Sequence, residues 1–165
     1  LSAAQLVEYV PFLRRVSPFS SDVDGWSLYS ERIAAEDMGM YADYPLGNLG
    51  RLQAEMFRAV RLVVDTGMHS KRWSRERAID YMLNKTGMTE AEVTREIERY
   101  VVWPGQATAY KVGQIYMLRL RSMAEEELGD QFDIREFHEM ILMNGAMPLE
   151  ILEESVTSWI SSFGQ

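Results

Sequence analysis

Cysteine is absent from the 165 residues, and histidine occurs only twice, at His69 and His138. The first absence excludes disulfides and thiol catalysis, though it says nothing firm about compartment. The second works against a multi-ligand zinc site built wholly from this chain. No run approaches the ~20 apolar residues of a membrane span. No positively charged leader with an apolar core is present, so no targeting signal can be read. Basic residues are in the minority: the net charge is −8 and the pI near 4.8. That balance argues against nucleic acid or an anionic membrane as the main partner. Internal repeats, low-complexity tracts and interdomain linkers are also missing.

What remains is a globular composition, 47% hydrophobic and 25% charged. A chain this long suits a single domain with a sizeable core. It begins with Leu, not Met, which raises the expectation that it starts inside a longer protein or after processing.

The periodicity is helical nearly throughout, and strand-like alternation never persists. Residues 3–15 read as a short amphipathic segment interrupted by Pro11, followed by a loop over 17–21. Helices are expected over about 23–39, 46–66, 74–87, 89–103, 106–128, 133–145 and 148–163. In the second of these, Leu49, Leu52, Met56, Val60, Val63 and Val64 form the expected buried stripe. Arg51, Glu55, Arg58, Arg61 and Asp65 are its polar positions, with Arg61 and Asp65 able to pair on the surface. Gly67 is expected to stop that helix. Ser74 is an N-cap, and Thr89/Glu92 and Asp133/Glu136 read as capping boxes. The sum is an all-α, multi-helix domain of about seven or eight helices. It occupies residues 1–165 as a single domain or as a fragment of a larger one.

Three stretches carry candidate chemistry. In Asp22-Val-Asp-Gly-Trp-Ser-Leu-Tyr-Ser-Glu31, seven positions are almost two helical turns, so Asp24 and Glu31 point to one side. Such a pair serves as a metal ligand plus a supporting or substrate group, or else as a helix cap and a solvated Glu. Thr66-Gly-Met-His69 places a histidine at a helix end, as a loop residue with a function or as a partner of the helix dipole. Pro104-Gly-Gln-Ala-Thr-Ala-Tyr-Lys-Val-Gly113 sets Tyr110 among small residues. That pattern permits either a hydroxyl aimed into a cleft or close helix–helix packing. His138-Glu139 lacks the second histidine of a zinc-peptidase helix, because position 142 is Leu, so His138 reads as a packing or hydrogen-bonding residue.

Taken in order, Gly25-Trp-Ser-Leu-Tyr-Ser-Glu31, Arg61-Leu-Val-Val-Asp-Thr-Gly-Met-His69, Trp73-Ser-Arg-Glu-Arg-Ala-Ile-Asp-Tyr81, the Tyr110 stretch and Phe137-His-Glu with Asn144-Gly145 resemble a large bacterial family. That family is catalogued as a domain of unknown function (the 885 family), and its members are often described as lipoproteins. The likeness runs from about Phe12 to Trp159. It implies the C-terminal part of a zincin-like helical peptidase fold, similar to carboxypeptidase Taq-type peptidases, acting on a peptide substrate. It also implies a periplasmic or membrane-anchored setting. The family's histidine ligands and general-base Glu lie upstream of Gly25-Trp26 and are not in this chain. By the same resemblance Asp24 is a zinc ligand supported by Glu31, and Tyr110, with His69, acts on the reacting carbonyl. Arg61, Lys111 and Gln106 are candidates for binding substrate. The family usually has Glu where this chain has Asp24. Asp is shorter by one methylene, about 1.5 Å of reach, so the helix sits closer to the metal or the site is weak or empty. Zinc is therefore expected in a full-length protein and weakly or not at all in this chain. An apolar surface is expected where the missing N-terminal portion would pack, covered in its absence by self-association. The rival readings are a helical interaction or scaffold module in which the same residues only cap and pack, and a degenerate family member that keeps the fold, to which Asp24 in place of Glu points.

Overall fold

The computed structural model is all-α and describes residues 10, 12–17 and 19–164, without the side chains of Leu13 and Arg15. Most of the 3–15 segment, Pro11 included, lies outside the described residues. No strand occurs among those described. The α-helices are α1 (Phe12–Val16), α2 (Ser20–Glu36), α3 (Pro45–His69), α4 (Arg75–Lys85), α5 (Glu90–Val102), α6 (Ala109–Leu128), α7 (Ile134–Met143) and α8 (Leu149–Ser161). Single 3₁₀ turns occupy Gln106–Thr108, Gly129–Gln131 and Ser162–Gly164. None of the described helices is long and apolar enough to cross a membrane.

Local chemistry sets most of these ends. The Ser74 hydroxyl accepts the Arg77 N–H at 3.1 Å and starts α4. Thr89 and Glu92 make the expected reciprocal box at the head of α5. Asp133 accepts the N–H groups of Arg135 and Glu136, but Glu136 returns no bond, so this is a simple cap. Gly145, with φ 75°, lies just past α7 in a conformation that favours glycine.

The chain divides into two compact units, one formed by Leu1–Trp26 with Val112–Gln165 and the other by Ser27–Lys111. In the first, α6 passes α2 at glycine-to-glycine distance. A Cβ at Gly25 would lie 2.5 Å from Gly113 Cα, and one at Gly113 only 1.8 Å from the Ser21 carbonyl oxygen. Gly113 thus serves the close helix packing that was one of the two readings of its stretch. An aromatic group packs the same unit. Phe137 has ring neighbours in Phe132, His138 and Trp159, and Trp26 meets His138 edge-on at 5.3 Å. His138 is a packing residue, as expected from the missing partner at Leu142.

The second unit is built on α3, α4, α5 and the Gln106–Thr108 turn. Its core joins Val60, Val64, Ala78, Ile79, Met82, Val93, Ile97, Tyr100 and Ala107. Two expectations about α3 are corrected here. The helix does not stop at Gly67 but runs to His69; the glycine lets the Trp73 ring lie against the helix, 2.7 Å from where a Cβ would be. The expected stripe is also largely reversed. Val60 and Val64 are buried, but so are Arg51, Arg61 and Asp65, while Leu49, Leu52, Met56 and Val63 are exposed. Arg61 and Asp65 are therefore interior residues and make no ion pair with each other.

Candidate functional site

In the second unit, the polar side of α3 faces the turn that precedes Tyr110. Asp65, 3% exposed, accepts the Gly105 N–H with both carboxylate oxygens at 3.1 Å. Gly105 has φ 80°, a left-handed conformation that suits glycine. The Thr108 hydroxyl closes the turn on the Gly105 carbonyl at 2.7 Å. Gln106 accepts an Arg99 N–H at 2.8 Å, and fully buried Ala107 plugs the turn into the core. Together these contacts fix the start of α6 and the placement of Tyr110.

The half-buried Tyr110 ring has a guanidinium beside it from two residues of α3. Arg58 and Arg61 each lie 5.4 Å from its centroid. Arg61 also lies over Phe57 at 5.1 Å and Tyr100 at 5.4 Å, so three rings cage one buried cation. Its nearest carboxylate, Glu96, is 3.9 Å away, too far for a hydrogen bond. The Nε atoms of Arg58 and Arg61 are both buried without a hydrogen-bond partner.

Neighbouring charges are compensated more closely. Glu96 accepts from Tyr100 Oη at 2.6 Å and Arg99 at 2.9 Å. Burial alone would raise the Glu96 carboxyl, but Arg99, Tyr100 and Arg61 together hold it below its ordinary value. Burial, reinforced by Glu96, pushes the Tyr100 hydroxyl well above the usual phenol range. Lys111 donates to Glu55 at 2.6 Å, and Arg51 donates to the same carboxylate at 3.0 Å. Burial opposes ionisation of Glu55 as well, and Lys111, Arg51 and Arg32 outweigh it.

Among the residues marked out in the sequence, the structure gathers Arg61 and Tyr110 directly. Gln106 joins through the turn, and Lys111 follows Tyr110 but is ion-paired to Glu55. His69 is the exposed last residue of α3, not a loop residue, and its Nε2 lies 3.0 Å from the Tyr100 carbonyl oxygen. Glu31, also in this unit, is exposed. Asp24 is half-buried on α2 in the other unit. Sequence reasoning missed Asp65 and Arg58. Their spacing along the Arg51, Glu55, Arg58, Arg61, Asp65 row was the available signal, because such a row marks one helix face whichever way it points.

Among the described residues no three His, Asp or Glu side chains form a group able to hold a metal ion. The described residues alone therefore do not make up a complete zinc site.

The sequence profile of one family, "Bacterial protein of unknown function (DUF885)", matches residues 1–156. A solved structure described as that of "the putative lipoprotein from Colwellia psychrerythraea" is 55% identical, with a TM-score of 0.89 over 92% of this chain. This chain covers 26% of that one, about a quarter of its length. No curated protein matches the chain.

Proposed function

Because the chain belongs to the bacterial family of unknown function DUF885, we propose that it is the substrate-binding, C-terminal portion of a zinc-dependent peptidase. The observation that carries this reading is the caged, buried Arg61 beside Tyr110, with Arg58 alongside. A buried guanidinium with no carboxylate in hydrogen-bonding range favours an incoming anion, and a peptide's terminal carboxylate has the matching charge and planar shape. The Tyr110 hydroxyl would donate to the substrate oxygen on which negative charge develops, and its rigid turn would hold it there without reorganisation. Asp65, Gly105, Gln106 and Arg99 position it. Lys111 balances Glu55 and would reach substrate only by leaving that pair. His69 would act through the Tyr100 backbone that it contacts. Asp24, which belongs to the other unit, would be one ligand of a zinc ion otherwise held from outside this chain, and such an ion polarises a bound water. The chain's similarity to the Colwellia lipoprotein supports a lipoprotein-like, membrane-anchored or periplasmic setting.

A second reading, a non-catalytic helical interaction module, is favoured by the engagement of His69, Gln106 and Lys111 in intrachain contacts. Zinc titration and peptide-hydrolysis assays on the full-length protein separate the two. The peptidase reading expects Asp24→Ala to lose metal and Arg61→Gln to raise KM for substrates with a free carboxylate. It expects Tyr110→Phe to lower kcat on the order of 10²–10³-fold with little change in KM. A full-length protein that takes up no metal, or whose activity ignores these substitutions, overturns the peptidase role for this chain and favours the module.

A further inference from the structure

Helix α3 is amphipathic in the reverse sense. Its inner side carries Arg51, Arg61 and Asp65 together with Val60 and Val64. Leu46, Leu49, Leu52, Met56 and Val63 are exposed by 72, 61, 46, 51 and 37%. Spaced three, three, four and seven apart, they line one side of the helix for about 25 Å. The other exposed positions of α3 are Pro45, Gly50, Gln53, Thr66 and His69, so none of the ten exposed positions is Lys, Arg, Asp or Glu. At the N-terminal end, the exposed Tyr44 ring lies on Gly47, 2.3 Å from where a Cβ would sit, and extends the apolar surface. A surface helix in water ordinarily turns its charged side outward. An apolar stripe of this length with no charge among it marks a surface that is covered.

We propose that the outer side of α3 is the docking face for the remainder of a longer polypeptide, and that the covering segment is itself uncharged and apolar. The lengths argue for this occupant. The Colwellia protein shares this fold at 55% identity, yet only 26% of it is matched by this chain, leaving about three quarters to pack around the matched part. The chemistry argues the same way. With no ionic side chain among the exposed positions of α3, a charged partner surface would be desolvated without compensation. An anionic membrane is disfavoured by the absence of exposed Lys or Arg on the helix and by the chain's net charge of −8. This inference concerns packing alone and does not rest on the peptidase reading.

The test is thiol labelling of the full-length protein, mapped to single residues by mass spectrometry. This part of the protein has no native cysteine, so Leu52→Cys and Met56→Cys each place one thiol on this face, and cysteine is close enough in polarity to Leu and Met to remain packable if the face is covered. Each rate is compared with that of the same variant in denaturant. Docking predicts that both thiols are slowed by more than about tenfold in the folded protein, independently of protein concentration. Free reaction at both positions overturns the proposal by showing the face open. Protection that vanishes on dilution also overturns it, because the occupant is then a second copy. Activity is never the readout, so the result is independent of whether the protein hydrolyses peptides.

Discussion

The carboxylate of Asp22 accepts the backbone N–H of Met147 at 2.7 Å, joining two residues 125 positions apart in the same unit. Burial dominates at this site and pushes the Asp22 pKa up to about 6, with the Met147 hydrogen bond only partly offsetting it. The folded state therefore holds the proton more tightly than the unfolded state. Asp22 favours the folded state most at low pH, and that contribution is lost as pH rises from about 4 through about 6. An asparagine in its place would keep an acceptor for Met147 without the buried charge. Asp22→Asn should therefore gain on wild type across this window and be more stable at pH 7 by about 1–2 kcal/mol, less than the full linkage because its amide N–H₂ is newly buried. Urea unfolding of both proteins between pH 4 and pH 7 checks this; a difference that does not change with pH refutes it.

Asp65→Ala should cost about 1–3 kcal/mol, because the N–H of the exposed Gly105 would lose a charged acceptor held in place by burial. Amide exchange at Gly105 should rise with it. Asp65→Asn retains one acceptor oxygen and should fall between the two. If exchange at Gly105 is the same in all three proteins, Asp65 does not anchor the turn before Tyr110.

Gly105→Ala tests the same turn differently. No atom lies within 4 Å of the added Cβ, so the loss, about 1–2 kcal/mol, should come from the left-handed backbone alone. Thermal unfolding is the measurement. Asn should rescue part of the loss, since it tolerates this conformation better than Ala; equal values for Ala and Asn would remove the backbone explanation.

Gly113→Ala should be worse than Gly67→Ala. The first drives a methyl into backbone, the Ser21 carbonyl, whereas the second meets the side chain of Trp73. Overpacking typically costs about 1–3 kcal/mol. We expect Gly67→Ala within that range and Gly113→Ala at or above its top, with a correspondingly larger fall in Tm. The reverse order would mean that the backbone yields more readily than the ring.

Some helix starts were legible because they depend on groups only a few residues apart, whereas the end of α3 was not, since Gly67 serves the packing of Trp73. The Ser74 cap and the Thr89–Glu92 box are read from local spacing and appear as expected. The rotation of α3 was not legible. Its sequence carries two complementary rows, one apolar and one charged, and hydrophobicity alone turns the apolar row inward. The structure brings Gly105, Glu96 and Tyr110 to the charged row from far along the chain, 40 positions in the case of Asp65 and Gly105. Tyr110 could be singled out from its small neighbours, but Asp65 could not, since its purpose exists only once Gly105 is beside it.

The meeting of Gly25 and Gly113 also limits how this sequence can change. In a packed core, enlarging one residue can be offset by trimming its neighbour. Here neither glycine has a side chain to trim, and each added methyl would strike main-chain atoms common to every sequence with this fold. No second substitution at the other position can relieve the first. The two sites should therefore each be invariant across proteins that keep this helix crossing, and their closeness should leave no trace of paired variation.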